Sequence, residues 1–113
     1  MDALTPAYEI EHPRGWRRLY RMPNGLGASV IPRQPAIPGY AAGTVDVLVV
    51  EWTGNDPDDH IEHLPKDWQV VEDFVRAVDS QGGDVYYGNG GCELQCVPEH
   101  ELLGLLTLIS RMP

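Results

Sequence analysis

The stretch that most narrows the possible folds is Gly15 to Ile31, where two alternating segments flank Pro23-Asn24-Gly25. Along the first segment Trp16, Arg18 and Tyr20 fall on one side and Arg17, Leu19 and Arg21 on the other, the period-two pattern of a strand. Asn-Gly accepts the positive φ values of a tight turn, so the chain is expected to return antiparallel as Gly27 to Ile31 and to stop at Pro32. Three prolines in 32–39 then exclude regular pairing and call for an extended loop. The next run, Val45 to Trp52, is β-branched and aromatic between Gly43 and Gly54, and its near-continuous apolar character suits a central strand.

The second half mixes periods. Gly54 to His63 reads as an acidic, turn-rich loop. Pro65 and Asp67 suit a helix start, and Val71, Phe74, Val75 and Val78 then recur at helical spacing until Gly82-Gly83. Asp84 to Tyr87 and Glu93 to Cys96 read as short strands about a glycine-rich turn. A second helix is expected from 98 to about 111, with Leu102, Leu103, Leu105, Leu106, Leu108 and Ile109 covering more than half its wheel. So wide an apolar face packs on the sheet and leaves room for a homodimer through this helix. Residues 1–13 lack a clear period and are read as an arm or a short edge segment. The expectation is a single α+β domain spanning 1–113, with an antiparallel sheet of about four to five strands and two helices on one face.

Charge is distributed unevenly. The chain carries a formal net charge of −9, from 17 acids against 8 bases. Residues 1–33 hold five arginines against three acids, whereas 34–113 hold three bases against fourteen acids. Such a chain is repelled by phosphate backbones and anionic lipid, so nucleic-acid binding by the whole protein is disfavoured. No run of about 18 apolar residues exists to span a membrane. Met1 to Pro6 has neither a basic start nor an apolar stretch, so no secretory signal is expected. Cys92 and Cys96 are two cysteines only, and on a strand their Cα atoms would lie ~13 Å apart, too far for a disulfide. Two reduced thiols and a cytoplasmic location follow as expectations.

Three constellations could carry a function. The acids Glu51, Asp56, Asp58, Asp59, Glu62, Asp67, Glu72 and Asp73 could dock a basic partner surface, as a protein-binding face or as a mimic of nucleic-acid phosphates. Trp16, Arg17, Arg18, Tyr20 and Arg21 mix arginine with aromatic residues, the composition of a single-strand stacking surface. The plainer reading turns Trp16 and Tyr20 toward the core and pairs the arginines with the fourteen acids of 34–113. His60 and His63 would share a face if their stretch were one helical turn, making a weak metal site with neighbouring carboxylates. Prolines 57 and 65 flank that stretch, and no third ligand is implied by spacing. Asn24-Gly25-Leu26-Gly27 and Gly88-Asn89-Gly90-Gly91 lack the remaining residues of dinucleotide and phosphate loops and are read as turns. No cofactor is expected. Tyr86 and Tyr87 fit either a core or a contact surface.

The segment Trp16 to Ile31, with its Asn24-Gly25-Leu26-Gly27-Ala28-Ser29-Val30 return, resembles a family of small uncharacterised actinobacteriophage proteins. The resemblance covers the first half of the chain and brings no catalytic residues. It implies a small protein working in the cytoplasm of an actinobacterial host. Together with the charge layout, it leads to the expectation of a non-enzymatic phage-encoded protein that binds or inhibits a host protein with a basic surface. A nucleic-acid module using Arg17, Arg18 and Arg21, and a metal-dependent enzyme at His60 and His63, are the alternatives.

Overall fold

The hairpin about Pro23-Asn24-Gly25 forms where the alternation places it, in a computed structural model that describes residues 5–33 and 43–113. Strand β2 (Gly15–Arg21) pairs antiparallel with β3 (Leu26–Pro32), in the register Arg18 to Val30 and Tyr20 to Ala28. Its turn differs from a two-residue Asn-Gly connection. Pro23 occupies the first turn position, Gly25 N–H donates to the Met22 carbonyl, and Gly25 alone takes a left-handed conformation (φ +87°). Proline presets the φ of that first position, so the loop has three residues and ends in a glycine bulge. Asn24 is thereby released for another role: its Nδ2 donates to the carbonyls of Ile109 and Met112, each at 2.9 Å.

Strand β4 (Thr44–Trp52) lies centrally, as its apolar run requires, and pairs with β3 along one edge. Its other edge is shared by β7 (Glu93–Pro98) in its first half and β5 (His60–Glu62) in its second. β6 (Tyr86–Gly88) follows β7, and β1 (Tyr8–His12) closes the opposite edge against β2. A single 3-10 turn, Asn89–Gly91, joins β6 to β7. Among the described residues the antiparallel sheet thus has seven strands, in the path β1-β2-β3-β4-β7-β6 with β5 against β4.

Seven replaces the expected four to five for two identifiable reasons. Tyr8, Ile10 and His12 alternate with Glu9 and Glu11, a short strand pattern at the edge, so 8–12 is no loose arm. The acidic loop 54–63 contains three residues that extend along the free edge of β4, with Glu62 opposite Val50 and His60 opposite Trp52. Residues 1–4 and most of the expected proline loop, 34–42, lie outside the described residues.

Helices α1 (Trp68–Ser80) and α2 (Glu99–Ser110) form over nearly the expected ranges. Val71, Val75 and Val78 of α1 and Leu105, Leu106 and Ile109 of α2 join Ala28, Val30, Val45, Val47, Val49, Leu94 and Val97 in one core cluster. Two α2 leucines, Leu105 and Leu106, are essentially fully buried, whereas Leu103 is 59% exposed, so most of the helix's wide apolar face is absorbed by its own sheet. Among the described residues, no helix is long and apolar enough to cross a membrane.

Candidate functional site

The face of the sheet away from the core cluster carries a second, smaller apolar cluster of Leu19, Val50 and Trp52, with Tyr8 and Leu48 packed against it. Leu19 and Val50 are fully buried there. Polar side chains lie over this face. Arg17 donates from Nε to Ser29 Oγ at 2.8 Å, and its NH2 lies 3.1 Å from His60 Nε2. Arg21 sits 4.2 Å from the centre of the Trp52 ring and donates to the Gly54 carbonyl at 2.7 Å. The Tyr8 hydroxyl donates to the Asn55 carbonyl, folding the 53–59 turn over the same corner. The hydrocarbon stems of these arginines can shelter apolar surface while their heads stay polar.

The Arg17–His60 contact also sets the ring's hydrogen bonding. A guanidinium only donates, so His60 Nε2 accepts and the ring proton resides on Nδ1. That buried Nδ1 has no partner among the described residues. His60 packs edge-on against Trp52, with centroids 5.2 Å apart, whereas His63 lies 3.5 Å from the Glu51 carboxylate. In a strand, residues three apart point to opposite faces. The helical turn that would have aimed both histidines at one ion is absent, and no group of three His, Cys, Asp or Glu among the described residues could hold a metal.

Asp46 is the buried charge that sequence reading passed over. Only 2% exposed, it accepts from Arg14 NH1 at 2.8 Å, from Arg33 NH1 at 3.2 Å and from the Cys96 backbone N–H at 3.1 Å. Cys96 takes a left-handed conformation (φ +63°) where the β4–β7 register slips. The carboxylate therefore supplies the acceptor that the irregular ladder takes away from that N–H. The available signal was one acid inside the run Val45 to Val50, at a position where every neighbour is apolar.

The five residues of the arginine–aromatic segment do not form one surface. Tyr20 is buried in the main core, with Trp16 packed against it. Arg18 shares their face, stacked 3.9 Å from the Trp16 ring and paired with Glu9 at 2.8 Å. Arg17 and Arg21 project from the other face, as described. Both aromatics face the core, as the plainer reading had it, although only Tyr20 is buried and Trp16 is half-buried. The arginine partners are not: Arg18 pairs with Glu9, outside the acidic stretch 34–113, and Arg17 and Arg21 turn to a histidine, a hydroxyl and a carbonyl.

The eight acids are also divided. Glu62 pairs in register with Val50 and Glu51 with Ile61, so Glu51 and Glu62 extend from opposite faces. Asp59 is tied into its own turn, accepting from the Asp56 N–H at 3.0 Å. Asp73 accepts from Gln69 and lies 3.8 Å from Arg76, while Glu72 is half-buried beside it on α1. Asp56, Asp58, Glu62 and Asp67 are exposed and form no ion pair among the described residues.

Between the start of α1, with the residues leading into it, and the Asn89–Gly91 turn lies an open apolar cleft of about 240 Å³, lined by Leu64, Pro65, Trp68 and Gly90. Tyr87 extends it, its ring 5.2 Å from that of Trp68. Burial first, then the Glu72 and Asp79 carboxylates, push the Tyr87 phenol above its usual pKa. Cys92 and Cys96 are both free, and burial pushes both thiols up, away from the reactive thiolate.

Comparison with protein-family models, with curated proteins and with solved structures finds no match for this chain.

Proposed function

We propose that this protein is a non-enzymatic protein-binding module whose acidic surface between Glu51 and Asp73 docks a basic patch of a partner. The observation that carries the reading is the set Asp56, Asp58, Glu62 and Asp67: four exposed carboxylates within twelve residues that hold a single Lys, Lys66, with none of the four in an ion pair among the described residues. Uncompensated surface charge of one sign raises association rates and selects partners of the opposite sign. The arginine segment offers less. Arg17, Arg18 and Arg21 are divided between two faces and already engaged within the chain, which weighs against a nucleic-acid surface.

The resemblance to actinobacteriophage proteins suggests where to look for the partner: a host-cell protein with a basic surface, bound or inhibited, in one version through mimicry of nucleic-acid phosphates. The test is capture from nuclease-treated actinobacterial lysate at moderate salt, with the native chain beside an Asp56→Asn, Asp58→Asn, Glu62→Gln, Asp67→Asn variant. One dominant basic protein, retained by the native chain and lost with the variant, is the expected result. Retention of the same protein by both overturns the assignment of this surface.

A further inference from the structure

The cleft beside α1 allows the partner's chemistry to be narrowed; this step rests on the protein-binding reading above. We infer that the cleft lined by Leu64, Pro65, Trp68 and Gly90 takes up one aliphatic side chain of a partner protein, in a segment where that side chain is flanked by Arg or Lys.

Size and lining argue for a side chain. The cleft's volume, about 240 Å³, exceeds the ~150 Å³ apolar cavity that admits benzene and falls below the ~300 Å³ at which sites for drug-sized ligands begin. An anchor residue fits; a whole drug-sized ligand does not. The walls are apolar yet open to water: Leu64 is 55% exposed, and Tyr87, whose ring lies 5.2 Å from that of Trp68, is 43% exposed. Large apolar groups collected at one place mark a contact surface, and isolated ones do not. The shape depends on glycine. Gly91 takes φ +106°, and a Cβ there would meet Trp68 Cη2 at 3.0 Å and Leu64 Cδ1 at 3.1 Å, so the turn can approach both walls only without a side chain.

Charge argues for the flanks. Residues 61–91, which contain every wall of the cleft, hold six acids against two bases, a net of −4. Glu72 stands one helical turn beyond Trp68 on α1, and Asp67 is exposed at the start of the same helix. An aliphatic anchor carried between acidic groups would be repelled, and one carried between cations would be attracted and could stack them on Trp68 or Tyr87.

The test is a two-dimensional amide NMR titration with three capped pentapeptides: Arg-Arg-Leu-Arg-Arg, Arg-Arg-Ser-Arg-Arg and Glu-Glu-Leu-Glu-Glu. The first is expected to shift the Trp68 indole and the Gly90 and Gly91 amides saturably, with an affinity that weakens several-fold between about 50 and about 300 mM salt. Leu64→Ser, at a half-exposed position, is expected to weaken it about fivefold or more. Equal shifts from the serine peptide would reduce the interaction to surface charge and overturn the inference. So would equal shifts from the acidic peptide, no shift from any, or concentration-dependent shifts of the same resonances without peptide, which would assign the cleft to a second copy of the chain. A lysate partner that Leu64→Ser retains in full and the carboxylate variant loses would reject the cleft and leave the protein-binding reading standing.

Discussion

Asp46 shows how one residue holds several elements. Its carboxylate joins the β1–β2 turn through Arg14, the end of β3 through Arg33 and the irregular stretch of β7 through Cys96. Removing one member of a buried charge network strands the others, so Asp46→Ala is expected to cost ~3 kcal/mol in urea unfolding. Arg14 keeps 34% of its side chain in solvent and can recover hydration, which places the loss mainly at the Cys96 N–H. Asp46→Asn keeps an acceptor for that N–H and is expected to cost about half as much. Equal losses would mean that the charge, and not the acceptor, matters. Tyr20 gives a pH-dependent counterpart. Burial pushes its phenol above the usual value, so the folded state resists its ionisation. With the folded pKa raised, the contribution to stability is complete below about pH 10 and is lost as pH climbs through the folded value. Thermal unfolding followed from pH 9 upward is expected to show a steeper alkaline decline in the native chain than in Tyr20→Phe.

At the scale of elements, the hairpin turn is where local and long-range demands meet. Asn24 accepts from the Leu26 N–H at 3.1 Å and donates to the Ile109 carbonyl at the end of α2 and to the Met112 carbonyl just beyond it. Helix ends leave such carbonyls without partners inside the helix, so Asn24→Ala is expected to cost ~1–2 kcal/mol and to raise amide exchange over the last turn of α2. Unchanged exchange there would detach the turn from the helix. Gly27 is stricter: a Cβ would lie 2.0 Å from the Tyr20 carbonyl and 2.4 Å from Trp52 Nε1, the atoms of a buried 2.9 Å hydrogen bond. Both facts explain which elements the sequence disclosed. Long periodic segments such as β2, β4 and α1 declare themselves because each residue repeats the same environment. β5 does not, since three residues inside an acidic turn acquire strand geometry only from the free edge of β4. Asn24 presents the same difficulty at the level of a side chain: it was legible as a turn residue, while its tie to α2 spans 85 positions.

For the whole molecule the decisive quantity is charge, and two effects of salt oppose each other. A net charge of −9 on 113 residues repels itself in the compact state, so screening favours folding. Partly buried pairs such as Arg14–Asp46 are screened less than exposed charges and offset little of this gain. The unfolding midpoint is therefore expected to rise by a few degrees between about 20 and about 300 mM sodium chloride. Docking of a basic partner is expected to weaken over the same range, because it draws on the same uncompensated carboxylates. The composition announced this imbalance, but not its arrangement: alternation along β4 and β5 sends Glu51 and Glu62 to opposite faces, and a turn consumes Asp59. The carboxylate variant separates the two effects. Neutralising Asp56, Asp58, Glu62 and Asp67 reduces self-repulsion, so the variant is expected to unfold at a higher temperature in low salt and to lose most of the salt response, while partner capture fails. A variant that loses capture and also unfolds earlier would show these carboxylates holding the fold together. Loss of binding would then report damage to the scaffold, and the acidic surface would no longer account for recognition.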